Sequence, residues 1–94
     1  MAPEKTVRLR ITGGVQGVGY RIWATRTASA LGLRGWVRNR SDGSVEVLAT
    51  GAPEQVAAMI EACRQGPYGA RVAEVAAVQA GDDGSIGFTA VSTE

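Results

Sequence analysis

The sequence predicts an α+β fold in which two helices pack on one face of an antiparallel β-sheet. Several short segments alternate apolar and polar residues, as half-buried strands do, and two longer segments repeat apolar residues every three or four positions, as amphipathic helices do. These segments follow the order β-α-β-β-α-β, with one further short strand at the end. A chain of 94 residues is long enough for one buried core, so we expect residues 1–94 to form a single domain.

The first strand and the first helix lie on either side of a glycine-rich loop. Residues 6–12 alternate, with Val7, Leu9 and Ile11 on one face of the predicted strand. A helix over residues 21–31 is predicted by an apolar stripe at helical spacing, formed by Tyr20, Trp23, Ala24, Thr27, Ala28 and Leu31. Gly32 ends this helix, because glycine readily adopts the left-handed conformation of a C-terminal cap.

A β-hairpin follows the first helix. Residues 33–40 and 45–50 are predicted to be its strands, and the Asp-Gly pair in "RSDGS" (residues 40–44) favours the tight turn between them. The second helix begins at Pro53, a residue well tolerated in a first helical turn. Its apolar stripe consists of Val56, Met59, Ile60 and Cys63, and Gly66-Pro67 ends it.

Two strands complete the predicted fold. Residues 71–79 are rich in Val and Ala and form the fourth strand, and "GDDGS" (residues 81–85) turns into a short closing strand within residues 86–91. Together these elements predict a ferredoxin-like sandwich, in which the first and second strands run parallel with the third between them.

This topology brings two distant segments together. Parallel strands end at the same edge of a sheet, so the glycine loop and the residues around Asn39 should lie close together. Leu33, Gly35, Val37 and Asn39 share one face of the second strand because side chains alternate. We therefore expect Asn39 to face the helix-covered side, at the rim where the first helix begins.

Composition excludes several classes of protein. The ten Lys and Arg residues are scattered and nearly balanced by nine Asp and Glu, which argues against a nucleic-acid partner. The chain contains no histidine and only one cysteine, Cys63, so His-based zinc sites and Ser-His or Cys-His pairs are excluded. No apolar targeting segment opens the chain, and we expect a cytoplasmic protein without membrane contact. Small size and low charge favour a monomer.

The loop "GGVQGVGYR" (residues 13–21) is better explained as an anion-binding site than as a plain turn. It is neither a dinucleotide G-x-G-x-x-G motif, because Ile22 takes the third glycine position, nor a P-loop, because no Gly-Lys-Ser/Thr follows. Glycines let successive amides face inward at a helix N-terminus, which creates an anion-binding nest. Arg21 lies in the first turn, where a cation is unfavourable unless an anion compensates it.

Two stretches of the chain resemble the signatures of the acylphosphatase family. "ITGGVQGVGYR" (residues 11–21) is similar to the first, and "GWVRNRSDGSVEVLATG" (residues 35–51) resembles the second. "LGLRGW" and the "GP" that precedes "ARVAEV" are also similar to bacterial members, so that the likeness covers about residues 7–78.

The resemblance implies a ferredoxin-like fold and hydrolysis of the carboxyl–phosphate bond of a small-molecule acyl phosphate, without metal or cofactor. It implies that Arg21 is the phosphate-binding catalytic arginine and that Asn39 orients the attacking water. The phosphate cradle would be formed by the backbone amides of Val15, Gln16, Gly17, Val18, Gly19 and Tyr20. Tyr20 stands where Phe is commoner, which keeps the ring and adds a hydroxyl.

The residues also predict how the phosphorus is attacked. Phosphatases with a Cys-x₅-Arg cradle form a phosphoenzyme, but the same spacing counted back from Arg21 gives Val15, which has no nucleophile. Water would therefore attack phosphorus directly, and positioning together with electrostatic stabilisation would supply most of the catalysis.

Three other functions fit these residues less well. A non-catalytic anion-binding module would need Arg21 and the nest but has no evident need for Asn39. An RNA-binding sheet would need stacking aromatics on its central strands, where the first strand presents Arg8 and Arg10 instead. A carbamoyl-phosphate-processing domain of a larger maturation protein is disfavoured because the chain resembles a complete protein by itself.

Some reactive or charged side chains have simpler structural explanations. Arg38 and Arg40 should lie on the opposite face or in the turn, since they alternate with Asn39. Asp42 is the turn residue before Gly43, and Cys63 lies on the apolar stripe of its helix, which indicates core packing.

Overall fold

The computed structural model describes residues 3–94, and its five strands and two helices follow the predicted order. Met1 and Ala2 lie outside the described residues, so the start of the predicted domain does too. The elements are β1 (Lys5–Gly14), α1 (Tyr20–Ala30), β2 (Arg34–Asn39), β3 (Val45–Gly51), α2 (Pro53–Gln65), β4 (Arg71–Gln79) and β5 (Phe88–Ala90). The predicted strand β4 is confirmed at both ends, and the other predicted elements are confirmed to within three residues at each end.

The sheet has the strand order β4-β1-β3-β2-β5. Strand β3 is antiparallel to both β1 and β2, so β1 and β2 run parallel with β3 between them, as the topology predicts. Val45 pairs with Ile11 on one side and with Asn39 on the other. The ends of β1 and β2 therefore flank the same residue, about 10 Å apart at two strand spacings.

The predicted antiparallel arrangement is confirmed for β1 to β4, and only the short closing strand β5 departs from it among residues 3–94. Strand β5 pairs in parallel with β2, through Gly35–Phe88, Trp36–Thr89 and Val37–Ala90, so the sheet is mixed. Residues 80–87 carry the chain from β4, at one edge, across to the other edge. A strand that returns from β4 runs opposite to it, and hence in the direction of β1 and β2, which makes the pair with β2 parallel.

The core lies between the sheet and the two helices, which confirms the ferredoxin-like α+β fold. Helix α1 packs against β2 and β5, helix α2 packs against β4 and β1, and the two helices contact each other. The buried core residues from β1, β2 and β3 include Val7, Leu9, Ile11, Val37, Val45, Val47 and Ala49, and the helices contribute Tyr20, Ala24, Ala28, Val56, Met59 and Cys63. Alternation along β1 leaves Arg8 and Arg10 exposed on the opposite, open face of the sheet.

The β2–β3 turn and the chain terminus hold the end of β2 in place. The Arg40 N–H donates to the Ser44 carbonyl at 2.8 Å, and the Asp42 carboxylate accepts from the Ser44 N–H and hydroxyl at 2.9 and 2.6 Å. These bonds from Ser44, with Arg10 as a further partner, lower the pKa of Asp42 to about 2. The Glu94 N–H donates to the Asn39 carbonyl at 3.1 Å, so the last residues extend along β2.

Neither helix within residues 3–94 is long and apolar enough to cross a membrane.

Candidate active site

A small cavity forms where the glycine loop, the start of α1 and the end of β2 meet. Its volume is about 140 Å³. It is lined by Val15, Gln16, Gly17, Gly19, Tyr20, Arg21, Ile22 and Asn39. The structure thus brings together Arg21, Asn39 and all but one of the predicted loop residues. The exception is Val18, which packs its side chain against the core.

The loop presents backbone donors that have no acceptor within residues 3–94. The Val15 N–H donates to the Gly13 carbonyl at 3.1 Å, but none of the N–H groups of residues 16–22 bonds to an acceptor within residues 3–94. Gly17 and Gly19 have left-handed backbones, with φ of 77° and 79°, and alternation of this kind forms an anion-binding nest. Gly19 is also the N-cap of α1, and no side chain caps the helix. The positive end of the helix dipole therefore points at the same donors.

Gly13 fixes the loop against β4. Its φ is 114°, and a Cβ at this position would collide with the backbone carbonyl of Arg71. The register of β1 and β4 shifts between Thr12 and Gly13, so a bulge turns the end of β1 toward the loop. A side chain at this position would therefore displace the loop from β4.

Arg21 is the cation of the cavity. It lies in the first turn of α1, where no acidic residue accompanies it, whereas α2 carries Glu54 in its first turn. The Arg21 guanidinium forms no ion pair with any carboxylate in the part of the chain that the structure describes. A cation at the positive end of a helix dipole, without a protein anion, favours an anionic ligand at this position.

Asn39 reaches the cavity from β2, as the alternation predicts. It lies on the same face as Gly35 and Val37, which are buried, and at the sheet edge that carries the glycine loop. Its backbone pairs with Val45 and accepts from Glu94, but its side-chain amide makes no hydrogen bond within residues 3–94. The amide is therefore available to a ligand or a water molecule in the cavity.

The side chain of Gln16 has a role that the sequence reasoning missed. Its Nε2 donates to the carbonyl oxygens of Arg40 and Ser44, at 2.8 and 2.9 Å. These two carbonyls lie in the turn that follows Asn39, so Gln16 ties the glycine loop to the β2–β3 hairpin. The sequence does contain a sign of this contact. Gln16 is a long amide side chain in a run of glycines, and the loop that carries it lies across the sheet edge from a tight turn.

Tyr20 anchors the start of α1 to the end of α2. Its ring is buried and meets Trp23 edge to face at 5.1 Å, and its hydroxyl donates to the Cys63 carbonyl at 2.7 Å. Burial raises the pKa of the Tyr20 phenol well above its usual value, so it remains a neutral donor. Burial also raises the pKa of the Cys63 thiol to about 11. Cys63 is fully buried, which confirms its predicted place in the core.

A larger cavity of about 500 Å³ lies on the open face of the sheet, away from the loop. Its arginines already have carboxylate partners. Arg10 pairs with Asp42 at 2.6 Å, and Arg8 and Arg40 pair with Glu46 at 3.6 and 3.3 Å. Because each of these arginines already contacts a carboxylate, this cavity is a weaker anion site than the small one.

Potential metal ligands do not cluster into a site in the described residues. The chain has no histidine, and residues 3–94 contain no group of three or more Cys, Asp or Glu side chains that could hold a metal ion. The small cavity is lined by the side chains of Gln16, Tyr20, Arg21 and Asn39 and by the backbone of the glycine loop.

Comparison with known proteins identifies the family. A family model described as Acylphosphatase matches residues 7–90. An acylphosphatase from Bradyrhizobium diazoefficiens is 54% identical over 77 residues, which cover 82% of this chain and 78% of the relative. Solved structures of acylphosphatases from Coxiella burnetii and Bacillus subtilis superpose with TM-scores of 0.90 and 0.88, at 31% and 33% identity. They cover 94% and 92% of this chain, and 93% and 97% of their own chains. The chain belongs to the acylphosphatase family.

Proposed function

We propose that the chain hydrolyses acyl phosphates by direct in-line attack of water, with the phosphoryl group bound by the loop amides and Arg21 and the water oriented by Asn39. Family membership makes the chain an acylphosphatase, a hydrolase that releases a carboxylate and inorganic phosphate. The observation that carries the assignment of roles is the meeting of unpaired N–H groups, Arg21 and the Asn39 amide around one cavity.

The phosphoryl group is the part of the substrate that this cavity suits. It carries negative charge on several oxygens, and residues 16–22 offer a run of N–H donors at the positive end of α1. Arg21 adds a permanent charge and a planar fork of donors that matches two phosphate oxygens. These groups are fixed before the reaction, so they stabilise the transition state without reorganising.

Water is the nucleophile in this proposal. Val15 stands where a Cys-x₅-Arg cradle has its cysteine, and the Cys63 thiol is buried and protonated at neutral pH. The amide of Asn39 orients a water in line with the bond to be broken. The water oxygen bonds to phosphorus as the phosphorus–oxygen bond breaks, the carboxylate leaves with the bonding electrons, and the water proton passes to a phosphate oxygen.

The leaving group explains why no acid residue is needed. A carboxylate is stable as an anion at neutral pH, so it does not need a proton from the protein in order to depart. Positioning and charge stabilisation are then the main contributions of the site.

Hydrolysis in ¹⁸O-labelled water tests the position of attack. We expect metal-free protein to hydrolyse benzoyl phosphate and acetyl phosphate with one ¹⁸O in the phosphate and none in the carboxylate, because water attacks phosphorus. Rapid-quench experiments with ³²P-labelled substrate should yield no radiolabelled protein. Label in the carboxylate, or a phosphorylated protein that forms and decays at the rate of turnover, would contradict the proposed mechanism.

Replacing Gln16 by methionine is expected to weaken both activity and stability. Methionine preserves the length of the side chain but cannot donate to the Arg40 and Ser44 carbonyls. We expect a roughly tenfold loss of kcat, because Asn39 and the loop lose their common support, and a loss of about 1 kcal/mol in the free energy of unfolding. Steady-state kinetics and urea denaturation measure the two effects.

The matched control is Gln65→Met, an exposed glutamine at the end of α2 whose side chain makes no hydrogen bond within residues 3–94. It should leave both quantities unchanged. Parental kcat in Gln16→Met would show that the contact with the hairpin does not position the site.

The proposal also covers how the chain works as a whole. It acts as a single-domain cytoplasmic monomer, without a nucleic-acid partner. In support, one core joins both helices to the sheet, and the net charge is only +1. On the open face, Trp36 is engaged by the Arg38 guanidinium 4.6 Å above its ring and donates to Asp83 at 3.0 Å, so it is a poor platform for a base.

A further inference from the structure

We infer that the side chain of Ile22 is the acyl-binding surface of the site and makes the enzyme favour apolar acyl groups. The inference rests on the proposed function, because it takes the phosphoryl group to lie among the loop amides. It concerns the other half of the substrate, the acyl group.

Ile22 is the apolar side chain that the cavity offers to a ligand. Three of the lining residues have large apolar side chains or rings, and two of them, Val15 and Tyr20, are 0% and 2% exposed. Ile22 also lines the cavity but is 61% exposed, in the first turn of α1. A large aliphatic side chain that stays exposed beside an anion site contributes little to the stability of the fold. Its surface remains available to a bound molecule.

In the proposed mechanism, the acyl group leaves on the side of the phosphoryl group away from Asn39. In-line displacement requires the attacking water and the leaving oxygen to lie on opposite sides of phosphorus. Asn39, which holds the water, belongs to β2, whereas Ile22 belongs to α1. With about 140 Å³ to share with the phosphoryl group, a large acyl group extends to the mouth of the cavity, where Ile22 is exposed.

The polar side chains of the cavity have other tasks. The Gln16 amide N–H₂ is bonded to the Arg40 and Ser44 carbonyls, Arg21 binds the phosphoryl group and Asn39 binds water. The acyl group therefore meets an apolar surface rather than a set of hydrogen-bonding partners. Benzoyl phosphate, with its ring, gains from this contact, whereas acetyl phosphate is too short to reach it.

The test compares benzoyl phosphate with acetyl phosphate as substrates of the parent and of Ile22→Ala and Ile22→Leu. We expect Ile22→Ala to lower kcat/KM for benzoyl phosphate about fivefold, mainly through KM, because a partly covered aliphatic side chain is removed. The value for acetyl phosphate should change less than about twofold, and Ile22→Leu should restore the preference for the ring. The matched control is Ile86→Ala, which changes an isoleucine 96% exposed in the loop before β5.

The failures of the two proposals have different signatures. Equal losses on both substrates in Ile22→Ala, or no loss on benzoyl phosphate, would overturn the acyl-binding role while leaving the proposed function intact. A parent protein inactive on both substrates would overturn the proposed function, and the inference with it. Thermal unfolding followed by circular dichroism verifies the fold of each variant, since alanine is compatible with an exposed helical position.

Discussion

Replacing Arg21 by alanine is expected to lower kcat/KM for acyl phosphates by about a hundredfold or more while the fold is kept. The loss corresponds to about 2.7 kcal/mol of transition-state stabilisation. It follows from the position of Arg21 in a cavity to which residues 3–94 contribute no second cationic side chain. Steady-state kinetics with benzoyl phosphate measure the effect.

The stability of Arg21→Ala should rise although its activity falls. Arg21 lies at the positive end of α1, without an acidic residue in the first turn and without an ion pair within residues 3–94. Removing the charge should raise the free energy of unfolding by about 0.3–1 kcal/mol, because it relieves repulsion with the helix dipole. A variant that is less active but at least as stable as the parent is the expected signature of a residue placed for the ligand rather than for the fold.

Two further variants give this experiment its controls. Arg26→Ala removes an exposed arginine farther along the same helix that forms no ion pair in the described part of the chain, and it should leave activity unchanged. Arg21→Lys preserves the charge but not the planar fork, so it should recover only part of the lost activity. Activity of Arg21→Ala within about threefold of the parent would rule out the proposed phosphate-binding role.

Local patterns were enough to predict most of the fold and the two sides of the cavity. Alternation along residues 6–12 and helical spacing after Tyr20 depend on neighbours in the chain, and both are confirmed. The position of Asn39 needed only two further rules, the parity of side chains along a strand and the shared edge of parallel strands. Both rules hold in the structure because Val45 pairs with Ile11 and with Asn39.

What could not be predicted depends on contacts between distant segments. The parallel pairing of β5 results from a loop that crosses to the far edge, and nothing in the pattern of residues 86–91 specifies which strand it joins. The bond of Gln16 to the hairpin spans 24 and 28 residues, and that of Tyr20 to Cys63 spans 43. Such bonds appear only when the packing distance and the side-chain direction are known.

The distribution of ion pairs distinguishes the small cavity that contains Arg21 from the open face of the sheet. On the open face, Glu46 is shared by Arg8, Arg38 and Arg40, with the nearest contact 2.7 Å from Arg38. Each of these three arginines therefore has a carboxylate within 3.6 Å that weakens its attraction for a phosphoryl group. Arg21 has no such partner within residues 3–94, so a small net charge on the chain still leaves one strongly electropositive cavity.

Replacing Asn39 by alanine is expected to lower kcat by about a hundredfold while the binding of inorganic phosphate stays close to that of the parent. The loop amides and Arg21 remain in place, so the anion still binds, but the attacking water loses the group that orients it. The fold should be unaffected, since the Asn39 amide makes no hydrogen bond within residues 3–94 and its backbone pairing with Val45 is kept.

The two cavity variants should therefore separate binding from attack. Arg21→Ala should weaken competitive inhibition by inorganic phosphate and Asn39→Ala should not, although both lose turnover. Ser41→Ala, which alters an exposed hydroxyl two residues after Asn39 in the β2–β3 turn, is the matched control and should behave as the parent. If Asn39→Ala turns over as fast as the parent, water needs no amide to reach phosphorus, and the loop and Arg21 alone would account for catalysis.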